Sequence, residues 1–566
     1  MRRSFVRPQS SPCRLGHPEK SVSPFHEFRI FTPLPLVRGK RFKSMSVAIV
    51  WFRKSLRLDD NPALMQACSS PSIRSVIPLY VFDPELFGES LEKLGSARFR
   101  FLLESLRDLA RSLKEKHGQE LVLARGKPEQ VLLALARMQG AELSLLSSDY
   151  CSEPYGRSLT QRIGACFQKD FPDVQVRFAP ATHTLLDIEE TIAETNFKNP
   201  KNMKDVMRIF HSRLGTDDSG FPLVPEPLPE PTKMQPLPKG FAFLEHPETA
   251  RFSGSGLPEF PLFSSRTEPM TVSPFKGGET EALIRLRRKV SQRTDFVNSF
   301  RKPKTCSTNE PTDPLEPSTT GLSPYLSVGC LSVRRFWKEV EACNRKSEHS
   351  LPPESLHGQL LFREMFYLLS RTVRNWDRDL DNPMCKPIRW GEKDESKLKA
   401  WAAGQTGFPF IDAMMRQLNA TGWMHHLGRH AVSCFLTRGQ LWQHWQSGRD
   451  LFERNLIDSD WALNNANWLW LSGVAPFSMP YFRLYNPCPD SKSSLNVETK
   501  TARFIKRWIP ELRDFPPKYA YEPHLAPESV QIDANCIIGT DYPHPIVDRK
   551  QAAKENLSKF KTSLAA

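Results

Sequence analysis

The 11 cysteines form no C-x-x-C pair and no cysteine–histidine spacing that frames zinc. That excludes zinc-finger and thioredoxin-type readings and suits free thiols in a reducing compartment. No apolar run is long enough to span a bilayer, so no membrane partner is expected. No G-x-G-x-x-G follows the first apolar run and no Walker A motif occurs, which removes the usual phosphate-cradling signatures of dehydrogenases and nucleotide triphosphatases. Acids are scarce at the start: residues 1–45 contain no aspartate and only Glu19 and Glu27. That basic, serine- and proline-rich stretch fits a transit peptide for chloroplast or mitochondrion. It fits equally a disordered extension, or a segment upstream of an internal start at Met45; in that case the nucleus is the expected location.

The charge that is present leans one way. Across 566 residues, 78 Lys and Arg outnumber 63 Asp and Glu, giving +15. Such an excess is the electrostatic footprint of a nucleic-acid partner, although organelle-targeted chains are often basic too.

From residue 46 the pattern is regular. "VAIVWF" (47–52), "SVIPLYVF" (75–82), "ELVLA" (120–124), "ELSLLSS" (142–148) and "VQVRF" (174–178) are short β-rich runs. Between them lie amphipathic stretches such as 99–116, with Leu102, Leu103, Leu106, Leu109, Ala110 and Leu113 at helical spacing. The alternation predicts an α/β domain over 46–182, a doubly wound parallel sheet. Residues 183–279, proline-rich from about 220, read as an extended interdomain linker on the surface. Residues 280–550 read as an all-helical domain, and 551–566 as a short C-terminal tail.

The helical part holds Trp390, Trp401, Trp423, Trp442, Trp445, Trp461, Trp468 and Trp470. Most are expected simply to fill the core. Yet "DSDWALNNANWLWL" (458–471) packs acids, amides and indoles together, and buried amides and carboxylates need partners. A flat ligand with many acceptors would supply them.

From Val47 almost to the C-terminus the chain resembles the photolyase/cryptochrome flavoproteins. The resemblance rests on "VWFRKSLRLDDNPAL" (50–64), "EPSTTGLSPYLSVGCLS" (316–332), "GQLLFREMFY" (358–367), the 404–439 stretch containing "GWMHHLGRH", and "IDSDWALNNANWLWL" (457–471). The histidine cluster, "FRKPKT" (300–305), Gln359 and Trp442 resemble the branch of (6-4) photolyases and animal-type cryptochromes.

The resemblance implies FAD in the helical domain. Thr319, Thr320, Leu322 and Ser323 then match the phosphate loop, and Gln359 and Arg363 match contacts on the next helix. Arg429 matches the partner of Asp458, Asp460 lies by the ribityl chain, and Asn464 faces the flavin ring. Asparagine there favours a repair enzyme over a signalling cryptochrome. Trp468, Trp445 and Trp390 match an electron relay, with Trp442 as a fourth step. Gln359, Phe362, His426 and His430 match the lesion pocket, His426 also touching the flavin, and one of the two histidines is implied as proton donor. The implied substrate is UV-damaged DNA with (6-4) lesions, and the implied state a monomer. A blue-light receptor with signalling partners, or a cyclobutane-dimer photolyase, stands as the alternative. The α/β domain could hold a second, antenna chromophore, a deazaflavin or a folate.

The histidines of "GWMHHLGRH" raise their own question. His426 and His430, four apart, share one helix face, at a spacing that also occurs in zinc sites. The metalloprotease form needs Glu after the first histidine, where Leu427 stands, and no third ligand suggests itself, so no metal is expected. His425 has no assigned role. Three departures from the family pattern bear on lesion choice: Phe362 for the usual tryptophan, Gly428 for the usual alanine, and the segment 471–487.

Overall fold

The computed structural model describes residues 46–565 apart from 219, 242, 244–247, 253 and 255–271. The 1–45 extension, and with it the transit-peptide expectation, lies outside the described residues.

Six strands form one sheet in the order β5-β4-β1-β2-β3-β6. They are β1 (Ser46–Phe52), β2 (Ile73–Phe82), β3 (Leu121–Arg125), β4 (Leu143–Asp149), β5 (Gln175–Ala179) and β6 (Thr249–Phe252). The first five pair in parallel. Along β1, Ala48, Val50 and Phe52 enter one core while Val47, Ile49 and Trp51 enter another. A strand buried on both faces reads as a continuous apolar run, which is why β1, β2 and β3 stand out in the sequence, whereas the edge strand β5 alternates exposed with partly buried residues. Helix α1 (Ser96–His117) covers one face, and all six of its periodic apolar residues are buried.

The 183–279 stretch departs from the extended linker expected of it. It carries helices Ile188–Ile192 and Met203–Leu214, and its strand β6 pairs antiparallel with β3, Leu121 opposite Phe252. An uncovered β3 would present unpaired backbone groups at the sheet edge, and four residues are enough to cover it. The proline-rich run itself stays extended but is tied down: Asp60 Oδ1 accepts from Leu228 N at 2.8 Å. The 551–566 tail is also corrected. Its residues 551–565 belong to helix α7 (Arg549–Ala565), whose Phe560 is fully buried against Trp390, Trp442 and Tyr481.

The helical domain places its site on α2 (Leu356–Thr372), α3 (Pro409–Thr421), α4 (His426–Cys434), α5 (Trp445–Asn455) and α6 (Trp461–Leu471). The two domains are clamped by charge. Arg334 and Arg335, from the helical side, pair with Asp60 and Asp59 at 2.7 and 2.6 Å, and the Glu279 carboxylate accepts from Leu58 N and Asp59 N.

Candidate active site

A cavity of about 510 Å³ opens in the helical domain. Every residue expected from the sequence to touch flavin or lesion lines it: Thr319, Thr320, Leu322, Ser323, Gln359, Phe362, Arg363, His426, Arg429, His430, Asp458, Asp460, Asn464 and, from the relay, Trp468. Trp390, Trp442 and Trp445 do not line it.

The loop 316–323 is held from beneath by Arg285, whose Nε donates to Thr320 O at 3.0 Å and whose Nη2 pairs with Glu316 at 2.8 Å. Arg285 went unnoticed in the sequence because its partners, Thr320 and Glu316, lie outside its own helix. At the loop's end Ser323 Oγ donates to Asp458 Oδ2 at 2.7 Å, and Arg429 Nη2 donates to the same oxygen at 2.8 Å. Asp460 caps α6 through Leu463 N and accepts from the Tyr367 hydroxyl at 2.6 Å. Burial works to raise its carboxyl, but the charges of Lys54 and Arg363 bring it below the ordinary value. Arg363 reaches across the domain boundary to His183 O and donates to Tyr367 at 3.2 Å, so it braces the cavity wall. Asn464 Nδ2 donates to Arg449 O at 3.0 Å, which fixes the amide plane.

Five buried polar atoms on lining residues have no partner in the protein: Gln359 Oε1, Trp423 Nε1, His426 Nε2, Ser433 Oγ and Asp458 Oδ1. Native interiors rarely leave such groups unmatched, and a ligand rich in donors and acceptors would match them. The donor set therefore fits FAD. It has hydroxyls and backbone N–H groups for phosphates, an Arg–Asp pair, and an asparagine and indoles for a flat ring.

The histidine cluster separates into distinct roles. His425 caps α4: its Nδ1 accepts from Leu427 N at 3.1 Å, so its proton sits on Nε2, 3.1 Å from Thr305 Oγ1. The third imidazole is structural. The rings of His426 and His430 lie 5.8 Å apart and nearly perpendicular. His430 Nδ1 is 3.0 Å from the Tyr485 hydroxyl, which also lies 3.2 Å from Met479 Sδ. Burial, followed by the charges of Lys302 and Arg438, presses His430 down to about 3. Burial, then His425 and Lys302, drives His426 well below the ordinary imidazole value. Lys302 is itself brought down to about 8 by burial and Arg429. Around neutral pH the pair is uncharged.

Tyr485 was missed because it lies in the 471–487 segment, read only as a departure from pattern. Arg438 pins that segment, donating to Leu471 O, Tyr481 O and Arg483 O. The glycine at 428 is explained by packing: a Cβ there would stand 2.4 Å from Met414 Sδ, so Met414 fills the space of the usual methyl. Among the described residues no group of three or more His, Cys, Asp or Glu could hold a metal ion.

The four indoles expected to form an electron relay are each held by packing. Trp468 lies against α5, where a Cβ on Gly448 would fall 2.1 Å from its ring. Trp445 stacks on His444 at 5.8 Å, His444 meets Trp390 at 6.2 Å, and Trp390 meets Trp442 at 5.0 Å. Trp376 and Trp401 donate their indole N–H to Ala462 O and Val432 O, as packing residues do. The Trp445 N–H is buried without an acceptor in the protein.

A second cavity, about 620 Å³, lies at the carboxyl ends of β1 and β2 and is lined by Arg53, Lys54, Tyr80, Asp83, Tyr155 and Trp461 among others. The chain reverses its winding direction between β1 and β4, which is where open α/β sheets bind ligands.

Comparison with known proteins agrees with this geometry. Residues 48–231 match the family model for DNA photolyase and 355–562 that for the FAD binding domain of DNA photolyase. The chain is 38% identical to a (6-4) DNA photolyase of Arabidopsis thaliana, over 90% of this chain and 87% of that one. It is 37% identical to cryptochrome-1 of Erithacus rubecula, over 91% and 78%. A bacterial class III photolyase from Agrobacterium tumefaciens superposes with a TM-score of 0.73 at 26% identity, covering 93% of this chain and 99% of that one. The chain belongs to the photolyase/cryptochrome family of FAD-binding proteins.

Proposed function

We propose that this protein is a FAD-dependent (6-4) photolyase, repairing pyrimidine–pyrimidone lesions in UV-damaged DNA under light. The observation that carries the reading is one cavity in which the Arg429–Asp458 pair and Asn464 adjoin the His426/His430 pair. Bound FAD, reduced and excited by light, supplies the electron that opens repair. Thr319, Thr320, Leu322 and Ser323 hold its phosphates; Gln359, Asp458, Asp460 and Asn464 orient it, and Arg363 braces the wall.

Basic residues around the mouth grip DNA phosphates without regard to sequence. The lesion dinucleotide, already poorly stacked, flips into the cavity and rests against Phe362 and Gln359. The imidazoles, neutral at rest, take up a proton when the lesion and its phosphates bring negative charge into the pocket. His430 has room for it. Tyr485 carries one hydroxyl proton, and turning it towards Met479 Sδ leaves its oxygen free to accept from protonated Nδ1. A histidine so poised delivers the proton to the lesion and recovers it as the bonds rearrange.

Trp468, Trp445 and Trp390 carry electrons inward to keep the cofactor reduced. The second cavity suits an antenna chromophore. The protein acts as a monomer, and residues 1–45 direct it to an organelle; imaging a fluorescent fusion with and without them tests the latter. A signalling cryptochrome is the second reading, favoured by the 37% identity to cryptochrome-1. Illuminating the reduced holoprotein with duplexes carrying either lesion separates the readings. Restoration of the (6-4) pair supports repair, restoration of cyclobutane dimers alone reassigns the substrate, and neither supports signalling.

A further inference from the structure

The segment 471–487, which departs from the family pattern, brings a sulfur atom up to the histidine pair. Ser478 N donates to Ala475 O at 3.0 Å, and Ser478 Oγ donates to Leu469 O at 3.1 Å. Tyr481 stacks on Phe560 at 4.9 Å, nearly parallel, and Arg438 holds the carbonyls of Tyr481 and Arg483. Met479 is fixed from both sides, with its Sδ 3.2 Å from the Tyr485 hydroxyl. That hydroxyl is also 3.0 Å from His430 Nδ1. Burial, followed by Cys434, pushes Tyr485 up to about 12, so the hydroxyl keeps its proton near neutral pH.

A tyrosine hydroxyl has one proton to donate and an oxygen that accepts. Beside neutral His430 it donates to Nδ1, the stronger of its two acceptors, and the ring then carries its own proton on Nε2. When His430 gains a second proton, Nδ1 becomes a donor. The hydroxyl must now accept from it and send its proton elsewhere. The charges facing His430 are Lys302, Arg429 and Arg438, with His425 and His426 beside it. Lysine and arginine accept no hydrogen bond. Among the described residues, Met479 Sδ is the second acceptor bonded to that hydroxyl. Without it a buried O–H would be stranded, which is costly.

We infer that Met479 is a positioning residue: its thioether takes up the Tyr485 proton and so sets how readily His430 holds the charge that repair draws on. The inference rests on the repair reading above. When His430 passes a proton to the lesion from Nε2, the hydroxyl turns back to Nδ1 and Sδ is released, so no atom of Met479 is consumed.

The test is the pH profile of single-turnover (6-4) repair by the reduced holoprotein under light. Repair that needs protonated His430 falls as pH rises. Met479→Leu keeps the volume and removes the acceptor. Its fall should come about one pH unit lower, leaving repair at neutral pH about tenfold slower. Met479→Gln, which offers an amide oxygen, should restore the rate. In Tyr485→Phe neither substitution should have any further effect. A second readout needs neither light nor DNA: the nitrogen-15 shifts of the His430 ring in the holoprotein at neutral pH. The proton should sit on Nε2 in the wild-type chain, and Met479→Gln should move part of it to Nδ1. A Met479→Leu profile superimposable on wild type, or a ring proton unmoved in Met479→Gln, would overturn the inference. Absence of (6-4) repair in the wild-type protein would instead count against the repair reading, and the ring nitrogens would then decide the role of Met479 alone.

Discussion

The imidazole of His430 has two neighbours that decide what its proton can do. The His426 ring shares the cavity wall, and Tyr485 meets Nδ1. Replacing either histidine by alanine should lower (6-4) repair by roughly 10²–10⁴-fold, as expected for loss of a positioned acid, while flavin content stays near wild type. Repair rate and absorbance of the purified variants measure both. Position 428 makes a different demand. Met414 occupies the volume that alanine's methyl would take, so Gly428→Ala should cost about 1–3 kcal/mol of stability as an overpacked core does. Met414→Ala in the same chain should relieve that clash, so the two substitutions together should cost less than the sum of their separate effects, read by denaturant midpoints. At this scale the histidine face was legible from residue type and spacing, and the Arg429–Asp458 pair only through the family resemblance. Tyr485 and Arg285 were not, because each acts through a contact far away in sequence.

Among elements, α4 begins on a side chain seldom used as a cap. His425 accepts from Leu427 N, and asparagine can make the same bond. His425→Asn should retain most of the stability, whereas His425→Ala should lose about 1 kcal/mol. A thermal melt of the two variants distinguishes them. Helix α7 closes the relay side of the domain with Phe560, and Phe560→Ala should cost about 3–5 kcal/mol as a buried aromatic does. Strands β1, β2 and β3 were visible because burial on both faces removes most polar residues from them, and β5 because its apolar residues alternate with exposed ones. The edge strand β6 was not, since "TARF" is four residues long and lies next to a proline-rich run. Helix α7 read as a tail because only Asn556, Phe560 and Ser563 along it are buried.

On the scale of the whole molecule, the charged clamp Asp59/Asp60 to Arg334/Arg335 joins a sheet domain to a helical one, and the buried imidazoles give the assembly a pH signature. His425 and His430 are held down to about 3, and His426 well below its ordinary value, all first by burial. In the unfolded chain each titrates near ~6.5. Between those limits the unfolded chain binds protons that the folded one refuses. Stability is therefore full above the unfolded value and falls as pH drops towards 3, with a slope of up to about 1.4 kcal/mol per pH unit for each histidine. Urea unfolding between pH 7 and pH 4 measures this, and a flat profile would contradict it. The +15 net charge predicts DNA binding that weakens steeply with salt and ignores sequence, which a titration at several ionic strengths reads directly.

One measurement bears on the central claim most directly: single-turnover illumination of the reduced holoprotein bound to a duplex with one (6-4) lesion, beside His430→Ala with matched flavin content. The account predicts restored pyrimidines with the wild-type chain and almost none with the variant. Equal repair by both, or repair by neither, would contradict it.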